Sequence, residues 1–233
     1  MLGAIVIGVA IVVFVASQQL GGRVSGTFDD PGINYPAQLI DGKTIGRADA
    51  PVTLEVWEDF QCPVCARHSL QVEPVIVSKY VTNGTLRIVH HDLAFLGRGG
   101  SDDESVLAAS GAVCATRQAK YWSYSHWVYA NQDGENAGGF RADRLKAIAE
   151  AAGVDTSDWD ACTTDPAVRQ EVADSTSKGM AQGVNATPTM FINGTMVTPA
   201  GLKTVDELSA LIEEAAAAAG TSSASPASAS PAP

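Results

Sequence analysis

At 233 residues, with 45% apolar and 18% charged side chains, the chain can bury one good core and has room for one or two domains. A net charge of −11 argues against nucleic acid as a partner, because neutralising phosphates needs clustered Lys and Arg. The composition is otherwise that of an ordinary globular protein, so motifs must carry the functional reading.

Residues 1–22 carry no charged side chain, and 2–16 form a nearly unbroken apolar run. That is the length of a signal peptide's apolar region and short of the roughly twenty residues a spanning helix needs. A basic leader is missing and Val15-Ala16-Ser17 is a weak cleavage match, so an uncleaved N-terminal membrane anchor is expected, with a cleaved signal segment as the alternative. Either way the body would lie on the extracytoplasmic face of the cell membrane, periplasmic or extracellular, where a four-cysteine chain suits the oxidising surroundings. Residues 23–38, with Gly26, Asp29-Asp30-Pro31-Gly32 and Pro36, read as a loose linker, and 39–45 as an edge strand.

Val52-Thr53-Leu54-Glu55-Val56-Trp57 is rich in β-branched residues without strict alternation, as a central strand covered on both faces should be. Asp59-Phe60-Gln61-Cys62-Pro63-Val64-Cys65 follows, then a helix-like segment over 66–80. Two cysteines three apart at a helix start share one face, and the first meets the unpaired N–H groups and the positive dipole end. Cys62 is therefore the expected thiolate and nucleophile, and Cys65, one turn deeper, the resolving thiol. Pro63 suits the first helical turn and stiffens the small ring that a 62–65 disulfide would close. Cys62, Cys65 and His68 also offer three zinc ligands, but no second close pair completes a tetrahedron, and no metal is assigned. A purely structural 62–65 bridge would close too short a loop to restrain the unfolded chain.

Pro74 is expected to kink the helix, and Asn83-Gly84 to close it. Leu86-Arg87-Ile88-Val89-His90-His91 is the next strand of a parallel β-α-β unit, with the two histidines on opposite faces, one packed and one half-exposed. From 101 to 183 the pattern turns helical: a capping box at Ser101-Asp102-Asp103-Glu104, then helices at 106–120, 121–131, 141–152, 159–163 and 166–182. Tyr121, Trp122, Tyr124, Trp127 and Tyr129 read as core aromatics. Residues 189–192 and 196–198 flank Asn193-Gly194, a type I′ hairpin pattern, and Thr204 caps a last helix running to about Ala219. Residues 220–233 are Ser, Ala and Pro and read as disordered; the N-x-T sequences at Asn83, Asn185 and Asn193 are explained by turns and packing without glycans.

Gly183-Val184-Asn185-Ala186-Thr187-Pro188-Thr189-Met190-Phe191-Ile192-Asn193-Gly194 resembles the cis-proline loop and following hairpin of thioredoxin-fold proteins. Together with the 59–65 motif it resembles the DsbA-like branch of that superfamily, over residues 40–217. The resemblance implies an α/β architecture: a thioredoxin fold at 39–100 and 184–219, with a helical domain inserted at 101–183. It implies a cis Thr187-Pro188 bond packed on the active-site disulfide and contacting substrate, and it implies that Cys114 and Cys162 are joined. For an exported chain pairing is favoured over two free thiols in any case.

The implied activity is thiol–disulfide exchange that introduces disulfides into exported proteins bearing reduced cysteines, without an organic cofactor. A membrane reoxidase resembling DsbB or vitamin K epoxide reductase would restore the enzyme. A disulfide isomerase or reductase on the same fold is the alternative, and a non-catalytic binding module or chaperone a further one. Two positions depart from the family pattern. Val56 stands six before Cys62, where many relatives have a buried acid, leaving Glu55, Glu58 or Asp59 to serve the resolving thiol. Val64 stands where the strongest oxidants carry His, which implies a less extreme potential.

Overall fold

The computed structural model describes residues 27–198 and 203–223. The expected anchor or signal segment, the first residues of the linker and the end of the tail lie outside the described residues. No helix among those described is long and apolar enough to cross a membrane.

Six strands form one mixed sheet in the order β1-β2-β4-β3-β5-β6. They are β1 (Ile40–Asp41), β2 (Thr44–Ile45), β3 (Val52–Glu58), β4 (Leu86–Asp92), β5 (Thr189–Ile192) and β6 (Thr195–Thr198). Only β3 and β4 run parallel, from Val52 opposite Leu86 to Glu58 opposite Asp92. Helix α1 (residues 63–81) crosses between them, and the antiparallel β5 flanks the other edge of β3, so β3 is central as expected. Its Val52, Leu54 and Val56 are buried while Thr53 and Glu55 are half-buried, because side chains alternate across a strand. The 39–45 stretch is not one edge strand but a two-stranded hairpin, since Gly42 takes φ +56° and turns the chain between Asp41 and Thr44.

Pro74 does not break α1. The helix instead widens before it: the Glu73 N–H reaches back to the carbonyl of His68, five residues away. Widened turns absorb a residue that has no N–H to offer, and a second one covers Val77–Val81. Asn193 and Gly194 both have positive φ, as a type I′ turn requires.

Five helices fill 104–181: α2 (Glu104–Thr116), α3 (Tyr121–Ala130), α4 (Ala142–Ala151), α5 (Thr156–Thr163) and α6 (Pro166–Ala181). The expected capping box at 101–104 does not form. Asp103 is the cap of α2, its carboxylate accepting the Val106 N–H, and Glu104 is spent on the N–H groups of Gly138 and Phe140. Helix α2 also ends at Thr116, four residues early, because Ala119 takes a positive φ. Cys114 and Cys162 join α2 to α5 through a disulfide, closing a separation of 48 residues. The final helix α7 (Val205–Ser223) is capped by a reciprocal pair, Glu207 N–H to Thr204 Oγ1 and Thr204 N–H to Glu207 Oε2. It extends past Ala219, so the start of the expected disordered tail is helical; Ala215–Ala219 precede it with the strongest helix former.

Sheet and helical segment share one apolar core: Leu54, Val56, Leu86 and Ile88 belong to the same buried cluster as Ala112, Tyr124, Leu145, Ile148 and Trp159. Residues 27–36, expected as loose linker, are docked on it: Phe28 and Tyr35 pack against the cluster, and the Asp29 backbone exchanges two hydrogen bonds with the Asn131 side chain.

Gly111 on α2 shows how close that packing is. Its carbonyl accepts the Trp159 indole N–H at 3.1 Å, and a Cβ there would stand 2.1 Å from the Tyr124 hydroxyl oxygen. Gly111→Ala should therefore destabilise the protein by about 1–3 kcal/mol despite its better helix propensity, as overpacked cores do, read as a lower midpoint in urea unfolding.

Candidate active site

β3 ends at Glu58, and the chain turns through Asp59-Phe60-Gln61 into α1. Asp59 organises that turn: Oδ1 accepts the Gln61 N–H and the Ser105 hydroxyl, and Oδ2 accepts the N–H groups of Phe95 and Leu96, all within 2.8–3.0 Å. The Gln61 side chain donates to Ser105 and accepts from the Asn136 N–H, while Gln132 donates to the carbonyls of Phe60 and Cys62. The loop carrying the cysteines is thus held from the helical segment as well as from the sheet. Gln132 was not identifiable from sequence, since nothing local marks a glutamine that will meet a loop seventy residues away.

Cys62 is the N-cap of α1, with extended φ −75° and ψ 119°, and Pro63 opens the helix. Both cysteines are free thiols; Cys62 keeps 6% of its surface exposed and Cys65 none. Val64 packs on the core edge and its side chain has no hydrogen bond to offer. The Thr187-Pro188 bond is cis, and the Thr187 carbonyl lies 3.4 Å from Cys62 Sγ. The structure therefore brings Cys62, Cys65, Pro63, Val64, Thr187 and Pro188 to one place, and puts Cys114–Cys162 elsewhere, between helices.

The two thiols sit in opposite environments. A hydrogen bond from Cys65 does most to lower the Cys62 pKa, and, against the opposing effect of burial, the Thr187 side chain and the N–H groups of Cys65 and Val64 help bring it to about 6. Burial, then the bond to Cys62 and the charge of Glu58, push the Cys65 thiol well above its ordinary value. An exposed-edge anion next to a buried neutral thiol is the arrangement that disulfide exchange at Cys62 needs.

Of the three acids available to replace the one missing at Val56, Glu55 lies on the other face of β3 and pairs with His91 at 2.9 Å, and Asp59 is committed to the turn. Glu58 remains. It is buried, with Oε2 3.3 Å from the Tyr129 hydroxyl and 3.6 Å from His90 Nδ1, and Oε1 without a hydrogen-bond partner. Burial pushes its pKa up to about 8 despite His90. His90 is buried and His91 half-buried, stacked on Trp57 with ring centroids 4.1 Å apart. His68 is buried with neither ring nitrogen hydrogen-bonded, and no group of three metal-ligating side chains gathers among the described residues.

A family model described as Thioredoxin matches residues 39–214. A probable disulfide bond formation protein D of Bacillus cereus is 22% identical over 159 residues, 67% of this chain and 72% of the relative. Na+/H+ antiporter NhaA 1 of Mycolicibacterium gilvum is 29% identical over 150 residues, 64% of this chain, which spans only 23% of that relative. Among solved structures, oxidised BdbD from Bacillus subtilis superposes with a TM-score of 0.67 at 19% identity, covering 76% of this chain and 93% of that one. Wolbachia pipientis α-DsbA1 superposes at 0.66 and 18% identity, covering 83% and 99%. The chain belongs to the thioredoxin family, and its fold is that of the BdbD and α-DsbA1 structures.

Proposed function

We propose that this chain is a DsbA-like thiol–disulfide oxidoreductase, an oxidant that donates its 62–65 disulfide to exported proteins at the extracytoplasmic face of the cell membrane. The observation that carries the reading is the stabilised Cys62 anion, because whatever favours the reduced dithiol makes the disulfide a stronger oxidant. The charge-free N-terminal apolar stretch and the Cys114–Cys162 bridge support an exported, tethered protein, and the Bacillus cereus relative's name supports disulfide formation.

In the proposed cycle a substrate thiolate attacks Cys62 Sγ, the 62–65 bond breaks, and the electron pair passes to Cys65, which takes up a proton. The second substrate thiolate then attacks the substrate sulfur of the mixed disulfide, and Cys62 leaves as thiolate. The substrate is oxidised by two electrons and the enzyme reduced by two. Thr187, whose carbonyl borders Cys62, pairs with the extended substrate segment, and Pro188 holds that loop against the thiols. A membrane reoxidase resembling DsbB or vitamin K epoxide reductase reclaims the electrons.

Cys62→Ser should abolish peptide oxidation, whereas Cys65→Ser should accumulate mixed disulfides through Cys62; adducts recovered on Cys65 would reverse the assignment. Equilibration with glutathione should give a potential above about −180 mV, and a value near −270 mV would make the enzyme a reductase.

The thiolate also predicts a pH signature. A pKa of about 6 in the fold, against about 8.5 unfolded, stabilises the reduced form fully above 8.5, and the gain disappears as pH falls through 6. It amounts to about 1.4 kcal/mol at pH 7 and almost nothing at pH 5. Buried groups common to both redox forms largely cancel in the comparison, so urea melts should show the reduced protein losing about that much relative to the oxidised one between these pH values.

A further inference from the structure

The docked segment 27–36 reaches the loop that holds the active-site turn. Phe28 packs against the Arg144 guanidinium of α4, which lies 5.7 Å from its ring centroid. The Asp29 N–H donates to Asn131 Oδ1 at 2.9 Å, and Asn131 Nδ2 donates to the Asp29 carbonyl at 3.0 Å and to the Trp127 carbonyl at 2.8 Å. Further along, Tyr35 donates to Glu73 on α1 and sets its ring edge-on to Trp122 and His126. Asn131 is the first residue after α3 and opens the connection to α4, residues 131–141. Arg144 donates to the Asn131 and Gly139 carbonyls and pairs with Asp133, while Glu104 accepts from the N–H groups of Gly138 and Phe140, so the connection is fixed on its far side. On its near side it grips the turn before α1. Gln132 Nε2 donates to the carbonyls of Phe60 and Cys62, the latter at 3.2 Å, and the Asn136 N–H donates to Gln61 Oε1 at 2.6 Å.

We propose that Asn131 and Gln132 are positioning residues for the Cys62 nucleophile, and that the docked segment 27–36 acts on the site through them. This rests on reading 62–65 as the exchanging pair. Asn131 is buried and its amide is satisfied by the Asp29 backbone and the Trp127 carbonyl. Undocking the segment strips Oδ1 of the Asp29 N–H at a buried position, which is costly, so segment and loop hold each other in one register. Phe28 and Tyr35 alone would cover the core; the polar pair at Asn131 adds a fixed place for the residue beside it. That residue, Gln132, meets the Cys62 carbonyl, which also accepts the Ala66 N–H at 3.1 Å as the first intrahelical bond of α1. The carbonyl marks where the helix begins, and the N–H groups of Val64 and Cys65 that favour the Cys62 anion belong to the turn it closes. Holding the carbonyl therefore holds the donors.

The ionisable groups that bear on Cys62 are Cys65, through its hydrogen bond, and Glu58, through its charge. Asp29, Glu104, Asp133 and Arg144 are the charged residues that contact the connection. Phe28→Ala and Gln132→Met change none of these, so neither variant moves the Cys62 titration by adding or removing a charge. The first loosens the segment without touching the loop, and the second conserves volume while removing the donor to the two carbonyls.

The test titrates Cys62 in the full chain, reduced at 62–65 with Cys114–Cys162 kept bridged, by its rate of alkylation with iodoacetamide from about pH 4.5 to about pH 9, the adduct being located by mass analysis. The urea midpoint of each variant is measured alongside. Gln132→Met should raise the midpoint of the Cys62 titration by about half a unit or more, the scale of one weakened hydrogen bond to the anion. Phe28→Ala should raise it by less, and in the double variant it should add nothing, because the contact it works through is already gone. Asn131→Ser, which breaks the pairing from its other side, should give the same upward shift and keeps the test open if either of the others does not fold. Variants that lose urea stability but keep the wild-type Cys62 midpoint would make the segment a cover for the core and overturn the proposal, as would shifts that simply add in the double variant. An oxidant reading that fails on its potential leaves this titration intact, whereas alkylation that falls on Cys65 in place of Cys62 removes the exchange reading and this one together.

Discussion

Two thiols three residues apart must be held in opposite charge states, and most of this molecule follows from that requirement. Cys62 and Cys65 share a helical turn, so the difference cannot come from distance along the chain; it comes from where α1 begins. Starting the helix at Pro63 leaves Cys62 outside it, facing donors, and pulls Cys65 under the apolar roof. A shift of one residue in that start would exchange their surroundings. The Asp59 turn, the Gln132 clamp and the Thr187 loop all act to fix this boundary from three different parts of the chain.

The helical segment therefore does more than cover the sheet. It supplies Ser105, Gln132 and Asn136 to the active-site loop, and Tyr121, Tyr129 and His126 to the buried charges behind it. Sheet and helices meet through a shared apolar cluster. Thioredoxin-like chemistry needs only a strand, a loop and a helix start. Here the surroundings that tune it come largely from residues inserted between the halves of that fold.

The parts legible in the sequence were those whose physics is local. A proline after Cys62, an Asn-Gly between short strands and a capping Thr204 before α7 each act within four residues, and each forms as read. The misread parts were settled by partners far away or by competing local choices. Ser101 and Asp103 are both good caps, and Asp103 takes the role while also binding the Gly99 N–H. Nothing local marks Glu73 on α1; His90, seventeen residues on and across a strand crossover, gives it a buried cation to meet. Tyr35 looked like a residue of a polar tether, and its hydroxyl finds the same carboxylate. Among the acids, Glu55 faces away with His91 and the Asp59 carboxylate is taken up by the turn, and neither fact can be read from the sequence.

The pairing of β3 has a consequence for how the chain is made. Its parallel neighbour β4 follows within 34 residues, but its other neighbour is β5, and the Asn193 side chain that caps this edge binds Thr53 from 140 residues away. Emerging N-terminus first, the nascent chain therefore holds its central strand with one open edge until β5 has appeared. During that interval Cys62 and Cys65 have no Thr187-Pro188 loop over them, and Cys114 waits 48 residues for Cys162. The thiol that carries the site is thus exposed before the chain can assign it its own partner, so the order in which the chain emerges, and not stability alone, keeps Cys62 from bridging to Cys114.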